Sequence, residues 1–542
     1  MVCYVLVTSC VSLVSRSEQY KHRFVETGPQ LLHTALTDMD LPVGRHPVTA
    51  LCIALCCLWG GESMPDPKHR EALMEMEASM QTGGQLVMSD KEKVLNARFL
   101  QMKQAEVMRP DFPPAMHFFK ARELIKESPL FSLLRKAPKG AALHVHDLSM
   151  TAVEWLVKNV TYRPDLYMCS SDTQSLRFIF CSQIPQPLAR CSPWVLLEKL
   201  RNATVNVTEL DDRIMRSMTV FTDQDPETLY PTQDVVWERF EEAFMALRGL
   251  VNFAPVFRDY YYQGLREFYA DNVMYLELRA VLPEVYELDG STHDITWSLK
   301  TYQEVTRSFT ADHPGFFGAR VIFSFHRHVN STVMARVVEE AMKLKRDFPD
   351  FVAGFDLMGR EDQGRPLWYF RHELSMPSDR GLLLPFYFHA GETNLEGSDV
   401  DQNLLDALLF NTSRIGHGFA LLRHPVAKEL SRKRGVAVEI CPISNQVTKL
   451  VDDLRNHPGA VLMAEDHPLV ISSDDPAMFG SSGLSYDFYE ALVGFGGLRS
   501  NLRTLKSLAI NSIRYSSLPA AQQEKALAMW QKQWDKFISE NT

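Results

Sequence analysis

The stretch GAALHVHDLSM, residues 140–150, is an apolar run that carries two histidines, His144 and His146, with Asp147 directly after them. On a strand, residues two apart point to one face, so the two imidazoles project side by side while Leu143 and Val145 face the other way. That is a chelating arrangement. Imidazole is the commonest protein ligand for zinc, and a catalytic zinc usually keeps about three protein ligands and a water. Core histidines satisfied by backbone groups are the competing reading of an isolated H-x-H pair, and Asp147 is a candidate third ligand.

Other apolar runs end in polar residues too. His326 closes ARVIFSFH, Gly359 lies just beyond FVAGFDL, His389 stands in LPFYFHA with Glu392 three residues on, His417 sits in RIGHG, and Asp474 and Asp475 close PLVISSDD. Three histidines and one carboxylate, His144, His146, His389 and Asp474, suit a zinc-like cation with a position left for water, whose pKa such an ion lowers toward ~7. Glu392 lies close to that set without having to bind, which suits a general acid. His417 could hold or deprotonate the water. Asp475 could orient its neighbouring ligand or hydrogen-bond a substrate nitrogen.

The elements that must position these groups are eight apolar runs, at residues 141–146, 272–280, 319–326, 351–357, 384–390, 414–418, 436–442 and 468–475. Amphipathic patterns such as STVMARVVEEAMKLKRDF and DQNLLDALLF lie between them, and strand–helix alternation predicts a parallel sheet. Eight repeats over ~330 residues fit an α/β fold of the (β/α)8 TIM-barrel type, which places its chemistry at the C-terminal strand ends. A doubly wound open sheet is the alternative, but no G-x-G-x-x-G follows any strand.

The interval between the first two runs, about 125 residues, exceeds what one helix and two loops require. It predicts an inserted subdomain over 159–217, with 109–158 beginning the catalytic barrel and 218–542 completing it with C-terminal helices. Before the first strand, EALMEMEASM and KVLNARFLQMKQAEVM repeat apolar residues at helical spacing. This helical segment, 62–108, either packs on the barrel or pairs with a second copy; pairing is the expectation.

Residues 1–61 read as a leader region. VTALCIALCCLWGGES follows Arg45 and His46 and is followed by small residues, the order of a secretory signal over about 40–61, and Met39 offers an alternative start. Neither apolar stretch of this region, Val2 to Val14 or Val48 to Trp59, reaches the ~20 residues needed to span a bilayer, so no stable membrane insertion is expected. Five N-x-[ST] sequons, at Asn159, Asn202, Asn206, Asn330 and Asn411, are consistent with an extracellular glycoprotein. Five of nine cysteines lie in the leader, and of the cluster Cys169, Cys181 and Cys191 two should pair in an oxidising compartment. A net charge of −10 argues against nucleic acid as partner and favours a small molecule or a protein.

Together HVHD, FHAGET, RIGHGF, CPISNQ and ISSDDPAMFG, in this order, resemble the motifs of the adenosine/AMP deaminase family, over about residue 62 to the C-terminus. The leader, helical arm and insertion resemble its secreted branch. The resemblance implies hydrolytic deamination of adenosine to inosine and ammonia, with one zinc per subunit on His144, His146, His389 and Asp474, Glu392 as proton donor and His417 as the base that handles the water. It further implies that Asp475 and the backbone at Gly359 hold the purine. The helix Trp237, Glu238, Arg239, Phe240, Glu241, Glu242, Ala243, Phe244 would lie over the nucleoside, with His326 in contact. A disulfide between Cys169 and Cys191, a homodimer, and a cell-surface receptor or glycosaminoglycan as partner are likewise implied.

Cytosolic members have H-x-H-L-D-G where this chain has HVHDLSM, so Asp147 would meet the ribose region differently. Two alternatives stand beside this reading: a receptor-binding growth factor using the barrel as scaffold, and a deaminase of a related purine such as AMP.

Overall fold

Strand–helix alternation builds a closed parallel barrel in the computed structural model, which describes residues 66–171 and 175–542. The leader region, 1–61, lies outside the described residues, as do residues 62–65 of the arm. The barrel strands are β1 (Gly140–His146), β2 (Val273–Ala280), β3 (Gly318–His326), β4 (Val352–Met358), β5 (His389–Ala390), β6 (Arg414–His417), β7 (Ala437–Ile440) and β8 (Leu469–Ile471). Strands β1 to β4 pair in order and in parallel, as do β5 to β8. Two parallel bridges join the halves: Phe355 with Phe386, and Val145 with Asp474. The run LPFYFHA is less regular than its composition suggests, since only His389–Ala390 pair as a strand. Its earlier residues are tied to β4 through Phe355 N–H to Pro385 O and Tyr387 N–H to Phe355 O.

The interior of the barrel is charged. Alternation in VMYLELRA sends Glu277 and Arg279 inward, where they meet Arg414 of β6 and Glu439 of β7, all fully buried. Arg414 reaches Glu277 at 2.7 Å and Glu439 at 2.5 Å, and Arg279 reaches Glu439 at 2.6 Å. Each guanidinium also meets the main chain, Arg279 at Leu143 O and Arg414 at Tyr515 O. Pairing of this kind offsets the desolvation of four ions, and loss of one partner exposes the whole penalty.

Of the arm, α1 (Pro67–Ser79) buries no residue, whereas α2 (Asp90–Val107) buries Leu95, Phe99, Lys103 and Glu106. Ser89 and Glu92 close a reciprocal capping box at the start of α2. Glu92 also receives Lys506 at 2.7 Å and the Trp534 indole at 2.8 Å, from the helices Leu502–Arg514 and Ala520–Asn541. The inward face of α2 is therefore occupied by the chain's own C-terminal helices, because the residues that make it periodic are the ones it buries.

Between β1 and β2, the strands Leu166–Ser170, Leu176–Phe180 and Val195–Leu196 form a small antiparallel sheet. Cys169 and Cys191 are joined by a disulfide, and Cys181 is a free, half-buried thiol. This sheet backs α3 (Gln233–Val251): a Cβ at Gly249 would collide with the carbonyl oxygen of Phe178. The Tyr286 hydroxyl locks the contact, donating to Gly249 O and accepting the Phe180 N–H. All five sequon asparagines are exposed, and Asn206 and Asn330 cap the helices that follow them. Among the described residues no helix is long and apolar enough to cross a membrane.

The interior network yields a direct expectation. Arg414→Met should destabilise the protein by about 3–5 kcal/mol, since Glu277 and Glu439 lose a buried counter-ion; urea denaturation followed by circular dichroism measures it.

Candidate active site

The seam between β1 and the end of β8 assembles the predicted ligands. The His146 N–H bonds to Asp474 O and the Asp474 N–H to His144 O, each at 3.0 Å. Asp474 adopts φ 58°, which swings its carboxylate back over β1. Its Oδ1 then lies 3.2 Å from His144 Nε2 and 3.1 Å from His146 Nε2. The His389 ring stands 4.4 Å from that of His144 and 5.3 Å from that of His146. Gly416 permits this crowding, because a Cβ there would sit 3.0 Å from the His144 ring.

His144 Nε2 and Asp474 Oδ1 are buried without a hydrogen-bond partner. Orphaned ligand atoms of this kind, on one imidazole and one carboxylate, fit a divalent metal ion, and ligand atoms of His144, His389, His417 and Asp474 lie within 4.8 Å of one another. The far nitrogens are held as a metal site requires. Glu439 binds His144 Nδ1 at 2.7 Å, and Asp356 binds His389 Nδ1 at 2.7 Å, fixing both rings with Nε2 inward.

His417 is held differently. The Gly459 N–H donates to His457 Nδ1, so His457 carries its proton on Nε2 and donates to Asn445 Oδ1. Asn445 Nδ2 in turn donates to His417 Nδ1 at 3.1 Å. This relay leaves the His417 proton on Nε2, 3.9 Å from Asp474 Oδ2, so the ring presents a donor to the site. His146, with Nε2 free to face the carboxylate, is the better fourth ligand.

Around this set lies a cavity of about 550 Å³. Glu392 lines it 3.7 Å from His417, and burial together with the Asp474 and Glu361 carboxylates pushes its pKa well above the usual carboxylate range, which favours the acid form. Asp475 is pushed up to about 7 by burial and by Asp474, and accepts from the Ser149 hydroxyl. Burial raises Asp147 to about 6, and it accepts from the Tyr302 hydroxyl at 3.0 Å. Gly359, at φ 94°, opens its backbone to the cavity beside His326, whose pKa burial lowers to about 4.

The helix expected over the nucleoside is α3, and it contributes one face. Trp237, Phe240, Glu241 and Phe244 line the cavity. Glu238, Arg239, Glu242 and Ala243 do not: Glu238 is exposed, Arg239 pairs with Glu242 at 3.6 Å, and Ala243 is in the core. The same face continues to Met245 and Arg248, which sequence reasoning missed although helical periodicity would have reached them. His328, Arg360, Gln363, Ser444 and Thr448 also line the cavity from loops and a short helix with no local signal.

A parallel barrel whose strand ends converge histidines and a carboxylate beside a buried glutamic acid side chain defines a hydrolase of the metal-assisted kind. Comparison narrows this. The sequence models described as "Adenosine deaminase" and "Adenosine/AMP deaminase N-terminal" match residues 215–532 and 66–134. The chain belongs to the adenosine deaminase family. It is 57% identical to adenosine deaminase 2-A of Danio rerio over 91% of this chain and 96% of that one. It is 48% identical to adenosine deaminase 2 of Homo sapiens over 93% and 99%. Among solved structures, adenine deaminase from Arthrobacter aurescens aligns with a TM-score of 0.51 at 21% identity, covering 74% of this chain and all of that one, a likeness of fold.

Asp356→Asn should lower metal affinity about 10–100-fold with the fold retained, because His389 loses the carboxylate that orients it. Competition with a chromogenic chelator reads the change.

Proposed function

We propose that the chain is a secreted, zinc-dependent adenosine deaminase that hydrolyses adenosine, and 2′-deoxyadenosine, to inosine and ammonia. The observation that carries this reading is the buried Glu392 on the wall of the cavity that His146, His389, His417 and Asp474 also line, with Asp474 Oδ1 left without a hydrogen-bond partner. The relatives named adenosine deaminase 2 support it. A zinc ion held by His144, His146, His389 and Asp474 would supply Lewis-acid activation of water at neutral pH.

The chain's own groups do the rest. Asp475 and the backbone at Gly359 hold the purine with C6 toward the histidines. Glu392 gives its proton to N1 as the water oxygen adds at C6, which turns C6 tetrahedral, and the carboxylate so formed takes a proton from that water. Glu392 passes this proton to N6, the C6–N6 bond breaks, ammonia leaves, and the C6 hydroxyl returns its proton to Glu392 as the C6 carbonyl of inosine forms. His417 directs its Nε2–H at the attacking oxygen. The base role expected from the motif would require that proton to leave Nε2 first, since Nδ1 is engaged by Asn445.

The finer reading extends beyond the site. Residues 1–61 serve as leader, 62–108 as dimerisation arm, 109–158 and 218–542 as barrel, and 159–217 as the subdomain that meets a receptor or glycosaminoglycan. For α1 the support is its exposed Leu73, Met74 and Met76, which a second copy would cover in a homodimer. The five exposed sequon asparagines are the proposed sugar sites. Growth-factor signalling through the insertion is compatible with catalysis in the barrel.

Glu392→Gln should abolish ammonia release while zinc, measured by mass spectrometry on the purified protein, stays near one per subunit; retained turnover would remove Glu392 from the mechanism. Adenosine should be preferred over AMP in a spectrophotometric assay, and the reverse order would overturn the substrate assignment. Deleting residues 67–79 should convert a dimer to a monomer in sedimentation velocity.

A further inference from the structure

Arg248 closes the cavity-lining face of α3 and has no role in the chemistry described above. The face runs Trp237, Phe240, Glu241, Phe244, Met245, Arg248, so it is apolar except for one carboxylate and one guanidinium. These stand seven residues, or about 10 Å, apart along the helix. Arg248 is half-buried, and among the described residues no carboxylate approaches its guanidinium within 4.0 Å. Its one close polar contact is His326 Nε2, at 3.5 Å, long for a hydrogen bond and made to a ring that burial keeps neutral. By contrast Arg360, also on the cavity wall, is engaged by Asp234 at 2.5 Å.

A half-buried guanidinium without a protein counter-ion keeps its donors available to a ligand that fills the space it lines. Its position says which end of a ligand. Arg248 meets His326 Nε2 at 3.5 Å, and the two line one wall of the cavity together with Asp147. A purine with C6 and N1 at Glu392 projects its sugar toward that wall.

We propose that Arg248 is a specificity-determining residue that donates to the oxygen-bearing end of the nucleoside. This inference rests on the deaminase reading above. Two sources offer that chemistry, a ribose hydroxyl and a 5′-phosphate, and both accept from a guanidinium fork. Glu241 lines the cavity on the same face, so the helix presents both an acceptor and a donor to it.

Steady-state kinetics of the wild-type protein, Arg248→Met and Arg248→Lys on adenosine, its 2′-, 3′- and 5′-deoxy analogues and AMP test the proposal. For adenosine, Arg248→Met should raise KM about 10–100-fold with little change in kcat, and Arg248→Lys should recover part of the loss. If a hydroxyl is read, the penalty disappears for the one deoxy analogue that lacks it. If a 5′-phosphate is read, the wild type turns over AMP and the variant loses AMP selectively. Equal losses on all five substrates, or none, would overturn the proposal. A wild type inactive on every adenine nucleoside would instead overturn the deaminase reading.

Discussion

The active site depends on one pair of backbone hydrogen bonds, exchanged between His144, His146 and Asp474 across the seam where the last strand meets the first. A barrel leaves no free edge, so its closure is enforced by every strand between. Here the residues that close it are candidate metal ligands themselves. The left-handed backbone at Asp474, and at His417 with φ 61°, costs about 1 kcal/mol or more per residue and persists because the surrounding structure fixes it. Closing the fold and collecting the metal donors are one event.

The charged interior ties that seam to the rest of the barrel. Glu439 accepts from Arg279 and Arg414 and also holds His144, while Asp356, held at 3.5 Å by Arg279, orients His389. Two ligands on different strands thus take their orientation from one buried network. An apolar interior would pack as well, but it could not hold an imidazole in a chosen tautomer. Helix α3 supplies the opposing wall, and the disulfide-bonded sheet behind it fixes its depth through Gly249 and Tyr286. The insertion therefore touches the chemistry indirectly, by setting where the apolar face of α3 stands.

The sequence by itself determined the barrel and marked its candidate ligands. Short apolar runs separated by amphipathic ones marked the strands, and His144, His146, His389 and Asp474 were visible because each interrupts an apolar run at its C-terminal end. The HVHD, FHAGET and SSDDP motifs carried the family resemblance for the same reason. What only the tertiary structure decided lies in contacts between distant residues. The partners Glu439 and Asp356, and the relay from His457 through Asn445 to His417, belong to strands and loops with no local sign of their role. The octet 237–244 was legible as a helix, but which half of it meets the cavity depends on its rotation about its axis, set by packing on the inserted sheet. That rotation turned Glu238, Arg239, Glu242 and Ala243 away and brought in Arg248. Local pattern specifies which residues can do chemistry, and long-range packing specifies the protonation, direction and neighbours with which they do it.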